Sequence, residues 1–197
     1  MRIFVLYVDD VIFTGNDVYL IENFKIVMKD DMGLLRYLLR IEVEKNENNI
    51  FISQEKYVKE VLERFNMQDC KAEITPTTMG LKLSKEDISK DFYPSLYERI
   101  VGNLMYLTTT RPNIMHAVSL ISRFMERPKE VHWQVEKIIL RYVKGTKRYV
   151  ILYTTSENFE LIGYTDNDWA RSVDDRKNTS GYVFHMGSET ISRASKK

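Results

Sequence analysis

Asp9 and Asp10 stand between two apolar runs, IFVLYV and VIFTG. Adjacent carboxylates on a tight turn repel one another unless a cation lies beside them, and two hard oxygen ligands suit Mg²⁺. Paired ions of that kind activate an attacking oxygen and stabilise a leaving one in phosphoryl transfer. Aspartate is also an ordinary turn residue, so the pair alone leaves open either a metal site or a solvated turn. A second feature is basic: Lys137, Arg141, Lys144 and Arg148 are spaced four, three and four apart, which puts them on one helix face. Val131, Val135, Ile138, Ile139 and Tyr142 share another face. Nucleic-acid phosphates would suit such a basic stripe, and a merely solvated face explains it equally well. His116, His132 and His185 lack metal-ligand spacing and read as structural. Trp133 and Tyr142 read as packing residues rather than base-stacking platforms.

These residues need elements to hold them. RIFVLYV and VIFTG read as a strand, tight turn and strand. Asp17 is placed to cap a helix carrying Ile21, Phe24, Ile26 and Met28. YLLRIEVEK and IFISQ flank the polar NENN as a second hairpin, and QEKYVKEVLERF follows with helical spacing of Tyr57, Val58, Val61, Leu62 and Phe65. Residues 68–94 lack a sustained period and hold Pro76, Pro94 and Gly80, so they read as a linker. Ser95 and Glu98 form a capping box for the next helix. Asn113 is placed to cap a second helix running to Met125, and Lys129 to Lys144, closed by Gly145, reads as a third. The last fifty residues are short β-rich runs suited to an antiparallel sheet over 149–193.

The chain has 197 residues, 44% hydrophobic and 29% charged, with 8 Gly and 4 Pro. That excludes collagen-like and strongly charged disordered classes and predicts an α+β globular fold. No run approaches the roughly 18 apolar residues of a membrane span, so no membrane partner is expected. The lone Cys70 permits no internal disulfide, which points to an intracellular setting, cytoplasm or nucleus. Net charge is only +1, but Arg111 to Val150 holds nine basic residues against three acidic ones, a local surplus that could face phosphate. Oligomeric state is not legible.

The hairpin IFVLYVDDVIFTGND resembles the third motif of the reverse transcriptase palm. RIEV, ISQEKYVKEVLERFNM, VGNLMYLTTTRPNIMHAVSLISRFM, LRYVKGT, GYTDNDWA and DDRKNTSGYVF follow in the order of the copia-type retrotransposon Pol polyprotein. The resemblance covers essentially the whole chain. It implies an RNA-directed DNA polymerase with RNase H, using Mg²⁺ on an RNA/DNA template–primer duplex. The implied division is 1–67 for the C-terminal part of the palm and a thumb-like region, 68–94 for the linker, 95–148 for a helical connection and 149–197 for the start of an RNase H-like domain. Asp9 and Asp10 match the polymerase's metal-binding aspartates, and Asp166 matches the first RNase H carboxylate. Asp168 has no assignable role.

The resemblance also implies departures. FKIVMKDDMG is shorter than the family's usual stretch. Arg40 and Arg171 stand where the family usually has glycine, Ile138 where it commonly has arginine and Arg193 where tryptophan is typical. A positive φ at Arg40 or Arg171 would cost about 1 kcal/mol, and an inward, unpaired Arg193 several. The family's remaining carboxylates fall before Met1 and after Lys197, so the expectation is a truncated, decayed piece, inactive alone in polymerase and RNase H assays. The alternative is a non-enzymatic nucleic-acid-binding or protein-interaction module retained by a host.

Overall fold

A computed structural model describes residues 2–7, 10–28, 36–78, 80–154, 160–168, 179–187 and 189–196; for residues 2–7, 10, 11, 27, 28, 168, 179, 189 and 196 it describes the backbone alone. The chain divides into two compact units, Met1–Leu39 and Arg40–Lys197. The architecture is mixed α+β with antiparallel sheets.

In the first unit, β1 (Arg2–Tyr7) pairs antiparallel with β2 (Asp10–Gly15), from Arg2 opposite Gly15 to Tyr7 opposite Asp10. The expected hairpin is present. Helix α1 (Val18–Met28) follows, and Asp17 Oδ1 accepts a hydrogen bond from the Leu20 amide at 3.2 Å, the cap that the sequence predicts. Phe13 of β2 stacks on Phe24 of α1, ring centroids 4.3 Å apart, which ties the helix to the hairpin. A two-residue strand, β3 (Tyr37–Leu38), closes the described part of this unit.

In the second unit, β4 (Ile41–Lys45) and β5 (Asn49–Ser53) form the second expected hairpin. Asn46 Oδ1 accepts from the amides of Asn48 and Asn49, so the asparagine side chain shapes the turn. The third strand of this layer comes from far along the chain: β6 (Ile151–Thr154) pairs with β5, Ile52 opposite Ile151. The expected single sheet over 149–193 is thereby corrected. Among the described residues, β7 (Leu161–Asp168), β8 (Thr179–Met186) and β9 (Glu189–Lys196) form the C-terminal antiparallel sheet without β6. Alternation within β6 specifies a strand, but its partner is chosen by where the preceding helix delivers it.

Four helices supply the core. They are α2 (Glu55–Arg64), α3 (Pro94–Leu107), α4 (Met115–Ile121) and α5 (Glu130–Gly145), with short 3₁₀ turns at Pro112–Ile114 and Ser122–Phe124. Val58, Val61, Ile100, Leu104, Ile139 and Leu140 are fully enclosed among them. The starts of two helices differ from expectation. Helix α3 begins with Pro94 after Tyr93 at the N-cap, and no side chain caps it; proline suits that position because it has no amide proton to orphan. Asn113 caps nothing and instead donates to Tyr142 Oη at 2.5 Å. At α5 the reciprocal cap comes from His132, whose Nδ1 accepts from the Lys129 amide at 3.0 Å while the ring stacks on Phe124.

The described residues of 68–93 carry no helix and no extended strand, yet they belong to the second unit and pack on α5. Phe92 N donates to Pro128 O and Glu130 N to Lys90 O, both at 2.9 Å. Leu83 is buried in the helical core, and Phe92 stacks on Trp133. The described part of this stretch is thus a strap over α5, and the two compact units divide between Leu39 and Arg40.

Candidate nucleic-acid interface

The sequence-predicted site residues do not converge among the described residues. Asp9 lies outside them, as do Trp169 and Arg171, and Asp10 is described only as the first backbone residue of β2, opposite Tyr7. Asp166 sits on β7 opposite Gly181, exposed, with its Oδ1 accepting from the Asn167 amide at 2.9 Å. No group of three His, Cys, Asp or Glu able to hold a metal occurs among the described residues. Asp166 alone does not fit a Mg²⁺ ion, which keeps its waters unless several charged oxygens meet it.

The basic stripe divides on folding. Arg141 forms an ion pair with Glu73 at 2.6 Å and donates from Nε to Lys71 O at 2.7 Å. Lys144 donates to Cys70 O. Lys137 lies over the Trp133 ring, its Nζ 5.0 Å from the centroid. Arg148 is exposed but lies past Gly145, the end of α5, so helical spacing does not place it with the others. Arg111, counted in the basic surplus, is only 1% exposed. It donates to Thr146 O at 2.5 Å, Thr146 Oγ1 at 3.1 Å and Lys147 O at 2.7 Å, closing the C-terminal end of α5. A guanidinium there meets orphaned carbonyls and the negative end of the helix dipole.

A different surface stands open. Arg99, Gly102, Asn103 and Tyr106 recur at i, i+3, i+4 and i+7 along α3 and so form one stripe. Gly102 is exposed in the helix interior, where glycine costs about 1 kcal/mol relative to alanine, and a Cβ added to it would meet nothing within 4 Å. The fold itself gives no steric reason for that glycine. Beside it, Asn103 Oδ1 accepts from Tyr57 Oη at 2.9 Å and from Arg64 Nη1 at 3.0 Å. Tyr106 meets the Tyr57 ring edge-on with centroids 5.2 Å apart. Arg40 extends the same surface, 5.1 Å over Tyr57 and 3.4 Å from Glu60. Burial pushes the Tyr57 hydroxyl's pKa up, partly offset by Arg40 and Arg64. Arg40 has φ of 63°, the left-handed conformation whose cost falls on any residue with a Cβ. The sequence reading missed this surface, although a glycine between Val101 and Asn103 in an apolar helix is a visible signal.

Residues 2–79 match the family described as reverse transcriptase (RNA-dependent DNA polymerase). The chain is 39% identical to the retrovirus-related Pol polyprotein from transposon TNT 1-94 of Nicotiana tabacum, over 98% of this chain and 16% of that protein. It is also 39% identical to the retrovirus-related Pol polyprotein from transposon RE1 of Arabidopsis thaliana, over 98% of this chain and 13% of that one. The chain belongs to the Pol polyproteins of copia-type retrotransposons. This Pol segment spans 13 to 16% of the length of those two relatives and includes part of the reverse transcriptase region. A shorter relative, an uncharacterized mitochondrial protein of Arabidopsis thaliana, is 32% identical over 98% of the Pol segment and 82% of its own length. No solved structure matches it. No helix among its described residues is long and apolar enough to cross a membrane.

Proposed function

We propose that this Pol segment grips the RNA/DNA template–primer duplex of a copia-type reverse transcriptase through the α3 stripe. The observation that carries the reading is Gly102: an exposed mid-helix glycine with free space above it lets another molecule's backbone approach the helix closely. Arg99, Arg64 and Arg40 supply positive charge around it, and Asn103 and Tyr106 supply hydrogen-bonding and stacking surface. In this reading residues 1–67 are palm and thumb-like, 95–148 a helical connection and β7–β9 the start of an RNase H-like sheet. Asp9 and Asp10 are the polymerase's Mg²⁺ ligands, Asp166 is an RNase H-type carboxylate, and the α3 stripe contributes binding rather than a chemical step.

Gly102→Leu tests it, because the two consequences have opposite sign. Folding stability should rise by about 1 kcal/mol, since leucine is the better helix former. Affinity for an RNA/DNA hybrid should fall about tenfold, near 1.4 kcal/mol, as read by fluorescence anisotropy. Unchanged affinity would remove α3 from the interface.

The host-retained binding module is favoured by one observation, the mitochondrial relative of similar length. Primer extension on an RNA template that vanishes in Asp9→Asn would count against that module and against an inactive chain.

A further inference from the structure

The stripe of cations on α5 is occupied from within the chain. Arg141 and Lys144, one turn apart, are turned onto residues 70–73 of the strap, where they meet the Glu73 carboxylate, Lys71 O and Cys70 O. The Glu73 amide returns a hydrogen bond to Arg141 O at 3.3 Å. A Cβ placed on Gly145 would lie 3.1 Å from Ala72 Cβ, so the strap runs close along the helix there. One carboxylate and two carbonyls thus present to these cations the kind of oxygen acceptors that a phosphate backbone presents.

We infer that residues 70–73 are an intramolecular pseudo-ligand covering a second phosphate-binding site on α5, and that a nucleic-acid duplex opens it by competing for Arg141 and Lys144. The contact is poised for exchange. Both members of the Arg141–Glu73 pair are about a third exposed, 31% and 37%, so salt and solvent weaken it. The strap is anchored on either side of the latch by Met67 and Leu81, which pack against the core, so this stretch can lift without unfolding the helices. Ile74, directly after the latch, is 92% exposed and ties nothing down. A closed strap leaves the α3 stripe as the standing contact, and an open one adds two cations.

The inference extends the duplex-binding reading and is tested separately from it. Glu73→Gln removes the competing charge. With an RNA/DNA hybrid as probe, it should raise affinity about tenfold at 50 mM salt and steepen the slope of log K against log salt by about two, as two added phosphate contacts require. Arg141→Ala with Lys144→Ala in the Glu73→Gln chain should abolish that gain. A second arm locks the strap: Ala72→Cys with Gly145→Cys, in a Cys70→Ser and Glu73→Gln background, should bind like the unmodified chain when oxidised and regain the tenfold on reduction. Equal affinity in the oxidised and reduced forms would overturn the latch. Hybrid binding by the unmodified chain with no gain from Glu73→Gln sinks the latch and leaves the α3 reading standing. Binding seen only in Glu73→Gln does the reverse.

Discussion

Helices α2 to α5 and the β7–β9 sheet belong to one unit, yet they solve the burial problem differently. The helices enclose their apolar side chains, and polar groups caught among them are bonded at both ring nitrogens, as in His132, bonded at all but one nitrogen, as in Arg111, whose Nε lacks a partner among the described residues, or left without partners there, as both Glu136 carboxyl oxygens are. The sheet shows the opposite balance. Leu161, Tyr182, Phe184 and Met186 project from one face of β7 and β8 and remain 39 to 60% exposed, because this face has no covering layer among the described residues. Among the described residues, the sheet's polar links to the rest of the unit run through β9: Arg193 Nη2 donates to Thr108 O and Thr109 O just past the end of α3, Ser119 Oγ of α4 to Ser195 O, and Tyr153 Oη of β6 to Thr190 O. The lesson is that the helical region has little tolerance for a changed atom, and the sheet has much.

The largest expected effect sits where that intolerance is greatest. Arg111→Met keeps most of the side-chain volume but strips the donors from Thr146 O and Lys147 O. It should destabilise the chain by about 3 to 4 kcal/mol, read as a drop of roughly 10 °C in thermal midpoint. A loss under 1 kcal/mol would show that water, not Arg111, satisfies the end of α5.

Glu136 sharpens the comparison from the other direction. Burial pushes its carboxyl up to about 9, against an ordinary value of 4.5, so the folded chain holds a proton there that the unfolded chain releases. Between those values the native state binds the extra proton, and stability falls as pH rises from 4.5 towards 9. At pH 7 the cost is about 3 kcal/mol. Glu136→Met should recover most of it, about 2 to 3 kcal/mol, and flatten the pH dependence of urea unfolding across that window. A variant with the same pH slope would show that the slope arises elsewhere.

The smallest effect belongs to the sheet. The Phe184 ring lies over Gly163, where an added Cβ would stand 2.6 Å from the ring. Gly163→Ala therefore forces the ring aside, but the ring is part-exposed and can swing out, so the cost should be only about 0.5 to 1 kcal/mol. Adding Phe184→Ala should cancel most of that penalty in a double-mutant cycle. A cost above 3 kcal/mol would mean the open face is as rigid as the helical core.

How much of this was legible beforehand varies by kind of feature. Hairpins β1–β2 and β4–β5 follow from alternating apolar runs around polar turns, and the Asp17 cap from a side chain acting three residues away. Those are local interactions, complete within a few residues of sequence. The Ser95–Glu98 cap and the Asn113 cap were equally plausible locally, but Pro94 and the Tyr142 hydroxyl prevailed. Local preferences are worth about 1 kcal/mol, so a single tertiary contact reverses them.

By itself, then, the sequence determined membership in the copia-type Pol family, the α+β class and most strands and helices, because long motifs and hydrophobic periods are one-dimensional signals. Tertiary structure alone decided which charges remain available to a partner. Arg111 and Glu136 look like surface residues in a list of charges, and Arg141 and Lys144 look like free ends of a basic stripe; folding buries the first two and spends the second two on residues 70–73. It also moved β6 to the sheet of β4 and β5, about a hundred residues upstream, and exposed Gly102 on an open face. Burial and pairing depend on what arrives from distant parts of the chain, and no spacing within one helix or strand encodes that arrival.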